Sequence, residues 1–213
     1  MSRLGSLTAL RVFLTFSLFL LPAISARAEN QPTVARLENV APTQVLFVGN
    51  SYFYYNDSLH NHVKRLVQAH DSALAEKLAY KSATIGGASL SHHDVEGHLE
   101  SGRLGLDAPF DLVILQGGSG EPLRESRRKT FSRVAAQHAE KIREAGAEVA
   151  LYMTPAYSEV HARFDPAMTD KIASLYIETG NTLDALVIPV GLAFEEAYRR
   201  RPDMVLHKFF DGS

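Results

Sequence analysis

The feature that most constrains the fold is a run of four apolar residues, Leu112-Val113-Ile114-Leu115, that stops at Gln116-Gly117-Gly118-Ser119-Gly120. A strand with no polar alternation must bury both faces, as strands do in a parallel sheet covered by helices on both sides. The pattern recurs along the chain. Val45-Leu46-Phe47-Val48 runs into Gly49-Asn50-Ser51, residues 76–85 read as a strand ending at Gly86-Gly87-Ala88-Ser89, and residues 148–153 end at Thr154-Pro155. Residues 183–190 form a fifth such run. Helical spacing predicts helices over 58–71, 90–102, 121–145, 166–180 and 191–200, the long one closed by Gly146. In the first of these Leu59, Val63, Leu66 and Val67 are expected inward and His60, His62, Lys64 and Arg65 outward. The alternation of strand and helix predicts a three-layer α/β/α sandwich around a central parallel sheet with right-handed crossovers.

The ends of the chain carry separate information. Arg3 and Arg11, an apolar run over residues 12–24, and Ala26-Arg27-Ala28 form the three-part pattern of a signal peptide over residues 1–28. The run is short of the roughly 20 apolar residues that a membrane span needs, and an uncleaved anchor is the alternative. Export to the periplasm or out of the cell is therefore expected, with no stable membrane insertion after cleavage. Residues 29–43 read as a leader and 44–213 as one domain. The chain has no cysteine, so an exported domain must be held by its core, and thiol nucleophiles and thiolate metal sites are excluded. A net charge of −2 points to neither nucleic acid nor an anionic membrane as partner.

In a parallel sheet, every turn that follows a strand lies on one edge, where ligands bind. That edge should collect Ser51, the Gly86–Ser89 turn, the Gln116–Ser119 turn and Thr154-Pro155. Ser51 has two readings: a nucleophile exposed on a strand-to-helix turn, or a helix N-cap, which is a common use of serine. Tyr52, Phe53, Tyr54 and Tyr55 follow it, either lining a sugar or acyl pocket or packing inward. Of nine histidines, His92, His93 and His98 are the densest group. Adjacent histidines face different sides of a helix, so a solvated helix at the site rim is expected there and no metal site. His92 is a candidate for lining a substrate cleft. The charge run 124–129 reads as a solvated face, and Gly86-Gly87 lacks the residues of a phosphate loop.

These residues resemble the SGNH/GDSL-type hydrolases, over most of the chain from Val45 to Ser213. The first block of that family is an apolar strand followed by Gly-Asp-Ser. Here it is Gly49-Asn50-Ser51, the Gly-Asn-Ser variant, and the resemblance makes Ser51 the nucleophile. The second block, Ile85 to Leu90, implies Gly87 as a backbone donor to the oxyanion beside the Ser51 N–H. The third block departs from the usual Gly-x-Asn-Asp. Gln116-Gly117-Gly118-Ser119 is closer to a form seen in carbohydrate-esterase relatives, and Gln116 or Ser119 would supply the donor. The fourth block is Asp-x-x-His, in which Asp orients the His base. Asp211-Gly212-Ser213 matches three positions and the sequence stops where the His should follow, so a chain cut inside the motif, lacking its C-terminal end, is expected. His161 and His207 are the histidines that could replace that base.

The resemblance implies an exported serine esterase, with small-molecule or glycan esters as substrates, Asn50 and Tyr52 beside the substrate, and neither metal nor organic cofactor. The alternative is a non-catalytic periplasmic glycan-binding or scaffold protein that keeps the fold. The oligomeric state is left open by the sequence.

Overall fold

The structure, a computed structural model, describes residues 31–207. The expectations placed on residues 1–28 and on Asp211 lie outside that range. Five strands form one all-parallel sheet in the order β2-β1-β3-β4-β5. They are β1 (Gln44–Gly49), β2 (Ala79–Thr84), β3 (Leu112–Leu115), β4 (Glu148–Tyr152) and β5 (Leu186–Ile188). The helices are α1 (Ser51–Tyr54), α2 (Leu59–His70), α3 (Ser72–Ala75), α4 (Val95–Leu99), α5 (Glu125–Glu144), α6 (Met168–Leu183) and α7 (Val190–Arg200). Single 3-10 turns occupy Leu90–His92 and Glu121–Leu123.

Strand residues alternate between two cores, as the two-residue period of a strand requires. Leu46, Val48, Val113, Leu115, Val149 and Leu151 face α4, α5 and α6, where they meet Phe131, Ile142, Ile172 and Tyr176. Val45, Phe47, Leu112, Ile114, Ala150 and Tyr152 face the other way, onto Phe53, Leu59 and Val190. This is the predicted three-layer sandwich. The sheet grows from β1 to β2 on one side and from β1 through β3 on the other, so the direction in which strands are added reverses between β1 and β3. A crevice opens at such a reversal, outside the carboxyl ends of the two strands. The ends of β1 and β3 are Gly49 and Leu115, which places Ser51 and the turn after Leu115 side by side.

Several boundaries differ from the periodicity. The predicted helix over 90–102 is a 3-10 turn followed by the five-residue α4, and the helix over 121–145 starts only at Glu125. In α2, Leu66 is exposed while His60 is half-buried against the Phe47 ring, 6.0 Å between centroids. A short amphipathic stripe thus selects a face only approximately, and packing on Phe47 decides it. The α5 helix ends as expected, with Gly146 at φ +85° and its N–H donating to the Arg143 carbonyl. The leader is tied to the sheet edge opposite the crevice. Backbone N–H groups of Glu38 and Asn39 donate to the Glu148 carboxylate, and Thr33 N–H donates to Asn181 Oδ1.

Candidate active site

Asn50 organises the crevice. It is 3 % exposed, and all of its polar atoms are used. Its backbone N–H donates to Gln116 Oε1 at 2.9 Å, and its Oδ1 accepts from Tyr52 N–H at 3.2 Å. Its Nδ2 donates to the carbonyls of Ala88, at 2.9 Å, and Gly117, at 3.3 Å. One side chain therefore joins the turns after β1, β2 and β3. Asn50 is also the N-cap of α1, so the reading of Ser51 as that cap does not hold: the cap is its neighbour. Ser51 is the first residue of α1, half-buried, with its side chain released from capping. Gly49 is required beneath it, since a Cβ there would sit 2.5 Å from Gln116 Oε1 and 2.9 Å from Phe53.

After α1 the chain turns sharply. Asn56, Asp57 and Ser58 are three successive non-glycine residues at positive φ (57°, 69° and 56°). They are held by Asn61 Nδ2 on the Asp57 carbonyl and by the Arg65–Asp57 ion pair at 2.7 Å. This turn brings Asn56 and Tyr55 back to the rim of the crevice.

Ser51 and Ser119 line one cavity of about 350 Å³, together with Tyr52, Tyr157, His161, Arg163 and His207. Ser119 Oγ is 2.6 Å from Tyr157 OH, and Tyr157 OH accepts from Arg163 Nη2 at 2.9 Å. Of the aromatic residues after Ser51, Phe53 is buried against Tyr152, 4.9 Å between centroids, and Tyr52 and Tyr55 line the cavity.

Four expected site residues lie off this cavity. Gln116 is fully buried, its Oε1 held by Asn50 N–H and its Nε2 by the Gly117 carbonyl. It braces the turn that carries Ser51 and does not line the cavity; of the two candidates for the donor role, only Ser119 lies on the cavity. Asn50, expected beside the substrate, is likewise buried beneath the site. His92 is exposed and closes a local turn, its Nδ1 accepting from Ser89 N–H. Gly87 stands on the same sheet edge at φ +69°, with open space where a Cβ would be.

The two histidines named as substitute bases are both in the cavity. Among the described residues, neither is hydrogen-bonded to Ser51. His207 Nε2 donates to the Ala156 carbonyl, 2.7 Å, and its Nδ1 accepts from Tyr198 OH, 2.8 Å. His161 Nδ1 accepts from Arg163 N–H, and its ring stacks on Tyr157 at 3.7 Å between centroids. Sequence reasoning missed Tyr157 and Arg163. The signal was the long aperiodic segment between Thr154-Pro155 and α6, which a parallel sheet must deliver to the same edge.

Two buried titratable groups flank the site. Glu121 is 4 % exposed beneath the glycine turn, its Oε2 accepting from Gly118 N–H at 2.5 Å. Burial pushes its carboxyl up, against the opposing pull of that hydrogen bond and of Arg127. His93, expected on a solvated helix, is 6 % exposed, and neither ring nitrogen has a hydrogen-bond partner. Burial, and then the neighbouring His98, His138 and His92, push it down from 6.5 to about 4; the Gly49 carbonyl, outside hydrogen-bonding geometry, pulls the other way.

A base whose folded pKa is depressed contributes stability above its unfolded pKa and loses it as pH falls towards the folded value. Wild-type stability should therefore drop between about pH 6.5 and about pH 4, with about 3 kcal/mol attributable to His93. The His93→Leu variant should lack that part of the drop, read from urea unfolding of both proteins at several pH values. Equal slopes for the two proteins would exclude His93 as the source.

Fold and site together define a class: a three-layer α/β/α protein of the SGNH-hydrolase architecture, with a serine at the β1–β3 crevice. No protein-family model and no curated protein matches the sequence. Solved structures do match. A protein of Slackia heliotrinireducens described as a candidate SGNH hydrolase superposes with a TM-score of 0.59 at 19% identity, covering 80% of this chain and 88% of the other. The acetyl xylan esterase AlAXEase superposes at 0.59 with 13% identity, covering 75% and 83%. A DUF4886 family protein from Bacteroides uniformis ATCC 8492 superposes at 0.55 with 19% identity, covering 79% and 74%. The shared fold corresponds to the resemblance read from the four sequence blocks.

Proposed function

We propose that the protein is an exported serine hydrolase of carboxylic esters, with acyl or acetyl groups on carbohydrates as the favoured substrates. The observation that carries this is Ser51 itself: half-buried, relieved of capping by Asn50, and opening into a cavity at the carboxyl edge of the sheet. Ser51 Oγ attacks the ester carbonyl carbon and gives its proton to an imidazole base. Asp211 orients that base in the manner of the Asp-x-x-His block. The developing oxyanion is met by the backbone N–H of Ser51 and by the Ser119 hydroxyl, both on the cavity; Gly87, on the same sheet edge but off the cavity, would have to move towards it to add its N–H. In the relay from Arg163 to Tyr157 to Ser119, Tyr157 donates to Ser119 Oγ and leaves the Ser119 proton for the cavity. Collapse expels the alcohol with the proton from the base, and water then hydrolyses the acyl-enzyme. Acetyl groups on glycans are favoured because the form of the third block and the matched acetyl xylan esterase point the same way. Export rests on the pattern of residues 1–28.

The test is acetate release from acetylated xylo-oligosaccharides, beside p-nitrophenyl acetate hydrolysis, by the full gene product and its Ser51→Ala variant. Ser51-dependent release from both supports the proposal. Tight oligosaccharide binding with no Ser51-dependent turnover would instead favour a glycan-binding protein.

A further inference from the structure

The cavity that holds Ser51 is lined by Ser51, Tyr52, Tyr55, Asn56, Ser119, Tyr152, Pro155, Tyr157, His161, Arg163, Phe194, Leu206 and His207, with no carboxylate among these described residues. Its cation is Arg163, placed by three contacts. Its Nη2 donates to Tyr157 OH, its guanidinium carbon lies 5.1 Å from the Tyr157 ring centroid, and its backbone N–H donates to His161 Nδ1. A second guanidinium converges on the same spot. A side chain at Gly120 would begin 3.2 Å from Arg163 Nη1 and 3.6 Å from Arg127 Nη1. The absence of a Cβ there leaves room for both groups beside Ser119.

Among the described residues, no carboxylate lies within ion-pair distance of Arg163. The carboxylates of the neighbouring segment go elsewhere. Glu159, Asp165 and Glu195 line an adjoining hollow of about 610 Å³ that shares Tyr157, Phe194 and His207 with this cavity; there Asp165 pairs with Lys171 and Glu195 accepts from Thr169. Arg163 is thus left without a carboxylate partner among the described residues, whereas Arg127 is drawn to the buried Glu121 beneath the glycine turn.

From this arrangement we infer that Arg163 is a specificity residue, and that the site takes esters bearing a carboxylate, such as half-esters of a dicarboxylic acid or esters of an acidic sugar. The inference rests on the esterase reading of Ser51. The guanidinium fork is planar and offers paired N–H donors, which suits a carboxylate. Nη2 is spent on Tyr157, and Nη1 and the second arginine remain on the Gly120 side. Arg163 is exposed, so its attraction for an anion is screened and must weaken with salt.

The experiment compares kcat/KM of the full gene product for three esters: p-nitrophenyl acetate, p-nitrophenyl hemisuccinate with the carboxylate in the acyl part, and 4-acetoxybenzoate with it in the leaving group. The readout is the ratio of each carboxylate ester to the neutral one. In Arg163→Gln that ratio should fall about tenfold for one of the two, while Arg163→Lys keeps part of it. Added NaCl should lower the wild-type ratio towards that of Arg163→Gln. The ester affected tells on which side of the scissile bond the carboxylate sits. An equal loss for all three esters would make Arg163 a positioning residue acting through Tyr157 and Ser119, and would overturn the inference, as would unchanged ratios. Calorimetric titration of the Ser51→Ala protein with p-nitrophenyl hemisuccinate and 4-acetoxybenzoate separates the two readings. Binding of either, weakened about tenfold by Arg163→Gln, supports the anion site even without turnover; binding of both unaffected by Arg163→Gln overturns it.

Discussion

Replacing Ser51 with alanine is expected to lower kcat for ester hydrolysis by about a thousandfold or more and to leave stability within about 0.5 kcal/mol of wild type. The two halves of that expectation have separate causes. On the proposed mechanism the loss follows from removing the atom that forms the acyl bond, for which the remaining donors cannot substitute. The unchanged stability follows from Asn50 acting as the cap of α1, so the Ser51 side chain carries no helix-terminal hydrogen bond. A serine used as an N-cap would behave oppositely, costing about 1 kcal/mol on truncation with no catalytic signature. Progress curves with p-nitrophenyl acetate and urea unfolding of the same two preparations decide between them. A stability loss without a rate loss would return Ser51 to a structural role.

Changing Asn50 to Asp, the residue usual in the family block, should destabilise the protein by about 3 kcal/mol at pH 7. The reason is the direction of its hydrogen bonds. Oδ1 accepts from Tyr52 N–H, which a carboxylate would continue to do, but Nδ2 donates to two carbonyls, Ala88 and Gly117. A carboxylate oxygen in that place would face two acceptors in a buried site. Protonation would relieve the conflict, so the folded pKa of the new carboxyl lies above its unfolded value of about 3.9. A group shifted in that direction costs nothing below its unfolded pKa, and its penalty grows as pH rises from that value to the folded one and then levels off. Urea unfolding at pH 4 and pH 7 should show the difference between Asn50→Asp and wild type widening with pH. A difference that is small and equal at both pH values would mean that Asn50 does not join the three turns. The geometry also gives a reason for the departure from Asp: in this chain the position needs a donor.

The parallel sheet and the clustering of the four turns were legible in the sequence because both follow from uninterrupted apolar runs, whereas the strand order was not. Val45–Val48 and Leu112–Leu115 have no solvent face to offer, and glycine and polar residues mark where each run must stop. That Ser51 and Ser119 meet at one cavity was legible for the same reason, each standing just beyond a buried strand. Gln116 and Asn50 were legible as members of the site but not in their roles. An amide after a strand is chemically equal to the task of oxyanion donor and to that of internal brace. Only the partners at Asn50 N–H and the Gly117 carbonyl distinguish the two. His93 illustrates the same limit from the other side: its polar neighbours suggested a wet helix, and the breaking of that helix after His92 turned its ring inward.

What the sequence by itself determined is therefore the layered parallel sheet and the edge at which chemistry can occur, since hydrophobic pattern and turn residues act locally and repeat five times along the chain. What only the tertiary structure decided is which of the polar groups at that edge face the cavity and which hold it together. Tyr157 and Arg163 reach Ser119 from more than 35 residues away in the chain. Such contacts depend on the path of an aperiodic segment, and its path is set by packing and hydrogen-bond satisfaction, which no local period records.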